Sequence, residues 1–169
     1  MKIDVARLDE GGENFEGDIS ADILEVPVDA QVKPNSPIHY KIHAILIDDE
    51  LIISGNLNLN IKFRCSSCAE DFLDEIDIKA FNYAYNIAGN DENDEFLEGV
   101  TTKYDALSES IDLTKDIRES ILLAFPANPI CNIGCAGLCP QCGINKNKET
   151  CECKPPSDGR WDLLDGLKV

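Results

Sequence analysis

From Ile38 to Asn86 apolar and polar side chains alternate with a period close to two, the spacing of strands that bury one face. Tyr40, Ile42, Ala44 and Leu46 alternate with His39, Lys41, His43 and Ile45. Asp48-Asp49-Glu50 then supplies a polar turn. Leu57, Leu59, Ile61 and Phe63 continue the alternation against Asn58, Asn60, Lys62 and Arg64. Cys65-Ser66-Ser67-Cys68 interrupts the pattern, and Phe72 to Tyr85 returns as another strand, with Ile76, Ile78, Ala80 and Asn82 assigned to one face. The pattern predicts an antiparallel sheet with a cysteine pair at a hairpin tip. Ile111 reads as the end of a short strand.

The period then changes. Leu113, Ile117, Ile121 and Ala124 make a single apolar stripe on a helix over 113–124. Asp112 suits its N-cap, because a carboxylate can accept from the exposed N–H groups of the first turn, and Pro126 ends it. The stripe reads as core packing. Gly89 to Glu95 is acidic and turn-rich and reads as a mobile loop. From Pro129 to Pro156 cysteine, glycine, asparagine and proline dominate, so few apolar side chains are available to hold that segment together. A bound metal would supply the missing cross-links. Asp158 to Leu167 predicts one short helix with Trp161, Leu164 and Leu167 on the face that docks. The expected architecture is therefore α+β: an antiparallel sheet, open or barrel-like, with one main helix and a C-terminal zinc-knuckle module. The domain expectation is a β-rich body over 1–128 carrying the helix 113–124, and a cysteine-rich zinc-binding tail over 129–169 packed on it.

Composition narrows the setting. The 169 residues are enough to bury a real core. Apolar runs such as Ala44 to Ile47 and Ile121 to Phe125 are far too short to span a bilayer. Met1 to Asp9 contains no apolar signal core, so the expectation is a cytoplasmic protein whose thiols stay reduced. The formal charge of −17 comes from 15 basic and 32 acidic residues. It is uneven: residues 65–130 carry 4 basic and 15 acidic side chains, and residues 131–169 carry 5 of each. That balance argues against general nucleic-acid affinity, which relies on cations displacing phosphate counterions. It suits a well-solvated surface, or an acidic body that attracts a basic protein.

The chemistry lies in eight cysteines, which fall into four close pairs: Cys65/Cys68, Cys131/Cys135, Cys139/Cys142 and Cys151/Cys153. Eight thiolates are the complement of two tetrahedral Cys₄ zinc sites. In Cys139-Pro140-Gln141-Cys142-Gly143 a tight turn can aim two sulfurs at one ion, with Pro140 presetting φ and Gly143 free to take a positive φ. A reduced compartment favours metal over disulfides. A redox Cys-x-x-Cys opens a helix in a βαβ setting, whereas Cys65 and Cys68 lie between two strands. One division of ligands groups Cys65, Cys68, Cys131 and Cys135 on one ion, and Cys139, Cys142, Cys151 and Cys153 on the other. The second group closes within 15 residues at small entropic cost. An interleaved division stays open on spacing alone.

Catalysis finds no support, and the chain reads as non-enzymatic. His39 and His43 on a strand lie about 13 Å apart, too far to share an ion. No Ser/His/Asp set, phosphate loop or carboxylate dyad stands out. Lys146, Lys148, Lys154 and Arg160, near Asn145, Asn147 and Trp161, are the candidates for RNA contact, although ordinary solubilising lysines around a metal loop would look the same.

The ordered string Leu122-Leu123-Ala124-Phe125-Pro126, Cys131-x₃-Cys135, Gly137-Leu138-Cys139-Pro140-Gln141-Cys142-Gly143-Ile144-Asn145, Cys151-Glu152-Cys153 and Asp158-Gly159-Arg160-Trp161-x₂-Leu164 resembles the YceD family, the large ribosomal RNA subunit accumulation proteins. Cys65-Ser66-Ser67-Cys68 and Phe72 match its pattern too, so the resemblance spans roughly residues 38–167. Gly159 stands where the family often has proline. The resemblance implies a factor in large ribosomal subunit biogenesis that supports accumulation of 23S ribosomal RNA. The partners it implies are a large-subunit ribosomal protein such as L32, or 23S RNA in the precursor large subunit, with no membrane and no small-molecule substrate. It also supports the division of ligands given above, because some relatives keep counterparts of the first four cysteines without the last four. The reading from a different class is a cytosolic thiol-redox or zinc-responsive regulatory protein.

Overall fold

Numbered in chain order, the strands are β1 (Lys2–Asp4), β2 (Glu13–Ile19), β3 (Val32–Pro34), β4 (Ile38–Ile47), β5 (Glu50–Arg64), β6 (Asp71–Asn86), β7 (Thr101–Lys103) and β8 (Ser110–Asp112), followed by the helix α1 (Thr114–Leu123). They are seen in a computed structural model that describes residues 1–8, 11–27, 30–48, 50–86, 101–103 and 110–153. The chain divides into two units. One comprises Met1–Phe63 and Phe72–Ala127; the other comprises Arg64–Asp71 and Asn128–Val169. The eight residues at the turn between β5 and β6 thus group with the cysteine-rich segment.

In the first unit the sheet runs in the order β2-β4-β5-β6-β7, with β3 on the end of β5 beyond β4. β2 pairs with β4, and β4 with β5, antiparallel; β7 pairs parallel to the end of β6. The barrel-like alternative is not realised: β2 and β7 stand at the ends of the sheet, and no pairing joins them among the described residues. β1 and β8 form a separate antiparallel ribbon, in which Ile3 faces Ile111.

The alternation in β5 does what period two demands. Leu51, Ile53, Leu57, Leu59, Ile61 and Phe63 are buried, and Asn60, Lys62 and Arg64 are exposed. Gly55 occupies the one inward position without a side chain. It pairs with Ile42, and a Cβ there would lie 2.2 Å from the Lys41 carbonyl oxygen, so only glycine lets β4 approach this closely. Leu113, Ile117 and Ile121 join the buried cluster formed by the sheet and by Ile3 and Ile111. Each such fully buried aliphatic side chain contributes about 1.5–3 kcal/mol.

Four features depart from the expectations. In β6 the buried positions change parity, from Ile76 and half-buried Ile78 to Phe81 and Tyr85, while Ala80 and Asn82 are exposed. Second, Ala124 is exposed and caps the helix; half-buried Phe125 takes its place, edge-on to Phe63 at 5.6 Å. Third, the helix begins one residue late, with Leu113 at the N-cap. Asp112 still accepts from the Thr114 backbone N–H at 3.0 Å, and the Thr114 hydroxyl holds its carboxyl below the usual range. Finally, β1, β2 and β3 come from an N-terminal stretch that carried no strand expectation. β2 does alternate, with Phe15, Gly17 and Ile19 against Asn14, Glu16 and Asp18, and Glu16 meets Lys41 across the strands at 2.8 Å.

The loop expected over 89–95 and the helix expected over 158–167 lie outside the described residues, as do Lys154 and Arg160. Among the described residues no helix is long and apolar enough to cross a membrane.

Candidate metal centre

The second unit repeats one turn twice. In the first copy the Ala69 N–H donates to the Cys65 carbonyl at 2.9 Å, and the Cys65 N–H donates to the Glu70 carbonyl at 2.8 Å. In the second, the Gly143 N–H donates to the Cys139 carbonyl at 2.9 Å, and the Cys139 N–H donates to the Ile144 carbonyl at 2.8 Å. Each turn needs its fifth residue in the left-handed region, with φ +59° at Ala69 and +73° at Gly143. Both turns swing two cysteine side chains to the same side, as metal knuckles do.

The structure gathers Cys65, Cys68, Cys131 and Cys135 into one cluster, and Cys139, Cys142, Cys151 and Cys153 into another. Within each, all four sulfurs lie within 4.8 Å of one another. Cys65 Sγ is 3.9 Å from Cys135 Sγ, and Cys68 Sγ is 3.8 Å from Cys131 Sγ. A tetrahedron with metal–sulfur bonds of about 2.3 Å has edges of about 3.8 Å, whereas a disulfide needs about 2.05 Å. The spacing therefore fits four thiolates around one ion and does not fit bonded pairs. We call the clusters centre 1 and centre 2. Cys65 and Cys68 are buried; in centre 2 only Cys139 is, and Cys142 and Cys153 are exposed.

The electrostatics agree with the geometry. The Cys131 N–H, 3.4 Å from Cys65 Sγ, holds that thiol down to about 6. The amides of Cys142 and Gln141 hold Cys139 down to about 6. Burial, with the neighbouring sulfurs, pushes Cys131 up to about 12, and a shared hydrogen bond with Cys142 pushes Cys153 up to about 12. One sulfur per cluster ionises readily and a close neighbour resists, chiefly through burial at Cys131 and the hydrogen bond with Cys142 at Cys153, with repulsion between neighbouring thiolates adding to both. A divalent cation removes that repulsion, which is how tetrathiolate sites become fully deprotonated.

Around the sulfurs lies a polar network. Asn147 Nδ2 donates to Cys135 Sγ at 3.4 Å, and Asn132 Nδ2 donates to Cys131 Sγ at 3.6 Å. Glu70 Oε1 accepts from Lys148 Nζ at 2.7 Å and from Asn145 Nδ2 at 3.3 Å. Lys148, a candidate for RNA contact, is thus already engaged with a carboxylate, which it holds below its usual pKa. Lys146 is exposed. The two histidines meet different partners on β2: His39 Nδ1 faces the Asp18 carboxylate, and His43 Nδ1 faces Asn14 Oδ1 at 3.1 Å. Ala69 and Asn147 lie beside the sulfurs at positions that spacing did not single out. Ala69 could have been found by aligning Cys-x-x-Cys-Ala with Cys-x-x-Cys-Gly; nothing in the sequence marked Asn147 as a neighbour of Cys135.

An antiparallel sheet with one helix, together with a unit built round two four-sulfur clusters, defines an α+β protein with two tetracysteine clusters that could each hold a metal ion. A family model described as large ribosomal RNA subunit accumulation protein YceD matches residues 53–168, from within β5 through both knuckles. The chain belongs to the YceD family. It is 26% identical over 123 residues to an uncharacterised protein of Mycobacterium bovis, a match covering 70% of this chain and 56% of the relative. The chain thus spans about half the length of the curated relatives it matches over most of its own length. It is 42% identical over 53 residues to the chloroplastic large ribosomal RNA subunit accumulation protein YCED homolog 1 of Zea mays, covering 31% of this chain and 18% of that protein. Its Arabidopsis thaliana counterpart is 40% identical over 45 residues, covering 27% and 14%. No solved structure matches the chain significantly.

Proposed function

We propose that the chain is a non-enzymatic factor in large ribosomal subunit biogenesis, supporting accumulation of large-subunit ribosomal RNA, with two structural zinc ions in its knuckle unit. The observation that carries this reading is the family match over residues 53–168, which includes all eight cysteines. Cys65, Cys68, Cys131 and Cys135 would hold one ion, and Cys139, Cys142, Cys151 and Cys153 the other. Four-thiolate tetrahedra suit zinc, which adds no redox chemistry and acts as a cross-link in a segment short of apolar side chains. The names of the plant relatives place those proteins in the chloroplast; for this chain the cytoplasm fits a bacterial ribosome factor with reduced thiols.

The charge distribution favours a basic ribosomal protein, L32 among the candidates, over naked RNA as the direct partner. The first unit carries 9 basic and 25 acidic residues, and the second 6 and 7. An acidic surface of this size attracts basic protein segments and repels phosphate. With Lys148 held by Glu70, Lys146 is the remaining described candidate for an RNA contact.

The test is complementation. In a bacterium deleted for its own YceD protein, this chain should restore the level of large-subunit ribosomal RNA and of mature large subunits. A chain carrying Cys65→Ser and Cys139→Ser should not. Failure of the zinc-loaded, folded chain to restore either level would overturn the reading. Crosslinking in the rescued cells should recover a basic large-subunit protein; recovery of ribosomal RNA alone would move the contact to the knuckle unit.

A further inference from the structure

Asn147 occupies a position that serves two centres. It lies in the loop between Cys142 and Cys151, both in the centre 2 cluster. That loop is shaped locally: Leu138 bridges to Asn145, and the N–H groups of Lys148 and Glu149 both donate to the Asn145 carbonyl at 3.0 Å. The Asn147 N–H and Nδ2 both donate to Asn145 Oδ1, at 3.0 and 2.9 Å. The rest of the Asn147 amide acts on centre 1. Its Oδ1 accepts from the Ala136 N–H at 2.8 Å, next to Cys135, and its Nδ2 donates to Cys135 Sγ at 3.4 Å. The same loop sends Asn145 and Lys148 to Glu70, two residues beyond Cys68. The Leu138 N–H, one residue before Cys139, donates to the Ser67 carbonyl inside the first knuckle at 2.9 Å.

We infer that the two centres bind metal cooperatively, with Asn147 as the positioning residue that carries the coupling. Metal at centre 2 closes the 142–151 loop. The closed loop presents an ordered amide to Cys135 and fixes the direction of its sulfur. A hydrogen bond from outside the ligand set orients a thiolate and offsets its charge, and removing such a partner typically lowers metal affinity about 10- to 100-fold. Without metal at centre 2, the loop must be ordered at the expense of binding at centre 1. Linkage is reciprocal, so metal at centre 1 raises affinity at centre 2 by the same factor.

The inference rests on the reading that both clusters bind metal, and the experiment separates the two. Cadmium is titrated into the full chain against a competing chelator, with cadmium NMR resolving the two tetrathiolate signals. Cys151→Ser should lower cadmium affinity at centre 1 at least tenfold. Asn147→Ala should lower it about tenfold while both centres still fill. The double variant should bind at centre 1 no more weakly than Cys151→Ser alone, because the loop can no longer transmit anything. A merely local structural role for Asn147 would instead multiply the two losses, and that result overturns the inference, as does a centre 1 indifferent to Cys151→Ser. Asn147→Asp keeps the acceptor for Ala136 but replaces the donor to sulfur with a negative charge. It should weaken centre 1 at least as much as alanine does, and full affinity in that variant would sink the proposed contact. Fewer than two cadmium ions per chain would overturn the metal reading itself; two ions bound independently would overturn only the coupling.

Discussion

Replacing Ala69 with glycine should tighten centre 1, because the two knuckles are one turn built with unequal residues. Ala69 sits at φ +59° and Gly143, its equivalent, at +73°. An L-residue in the left-handed region costs about 1–2 kcal/mol. Glycine removes that cost but gives back about 0.4–1 kcal/mol through the greater freedom of the unfolded chain. The Ala69 side chain is exposed, so no packing is lost. The net gain is about 0.5–1 kcal/mol, and at about 1.36 kcal/mol per factor of ten this is about a two- to fivefold gain in metal affinity. Gly143→Ala should lose the same amount at centre 2, where no atom lies within 4 Å of the added Cβ and backbone conformation is the whole cost. Gly137→Ala should cost more, since φ is +69° and the Cβ would press to 3.0 Å from the Ser67 carbonyl oxygen. Zinc-chelator competition on the three variants measures all of this. If Ala69→Gly leaves affinity unchanged or lowers it while Gly143→Ala is neutral, the equivalence of the two turns is wrong.

Three other outcomes are expected. With zinc in excess, Cys65→Ser should deprotect the Ser66 and Leu138 amides and Cys151→Ser the Cys139 and Glu149 amides, while the Leu57 amide stays protected in both; hydrogen exchange that opens Leu57 in Cys151→Ser contradicts the division into units. A chelator or thiol reagent should reach centre 2 first, since Cys142 and Cys153 are exposed and Cys65 and Cys68 are not; modification mapped first to Cys65 would refute this order. Tyr85→Phe should cost about 1.5–3 kcal/mol in urea unfolding, because the buried Tyr85 hydroxyl donates to the Asp116 carboxylate at 2.7 Å. Burial and Asp116 push the phenol's pKa upward, so this contribution is complete at neutral pH and is lost only as pH climbs past the ordinary tyrosine range.

Much of the central sheet was legible because β4 and β5 bury one face and so write their period into the sequence. β6 was legible as a strand but not in its facing, since its buried positions change parity between Ile78 and Phe81 with no change in composition to mark it. β2 escaped because Gly17 holds an inward-parity position and weakens the apolar signal. The helix was read through Ile117 and Ile121 and its end near Ala124, but not in its last inward residue: Ala124 is small and exposed at the C-cap, and Phe125 took the inward role. The cysteines could be read because each pair is local. The contacts around them were not, since Asn147 meets Cys135 across 12 positions and Lys148 meets Glu70 across 78. Such pairs leave no periodic trace, which is why Lys148 looked available for RNA in sequence and is engaged by Glu70 in the fold.

If the eight cysteines hold two metal ions, metal content shows it most directly. Native mass spectrometry of the full chain, purified without added metal or chelator, should show two zinc ions and no disulfide. Cys139→Ser should leave at most one ion. A single zinc in the unaltered chain, an iron–sulfur absorbance, or a metal-free chain whose mass shows paired cysteines would rule out two tetrathiolate zinc centres.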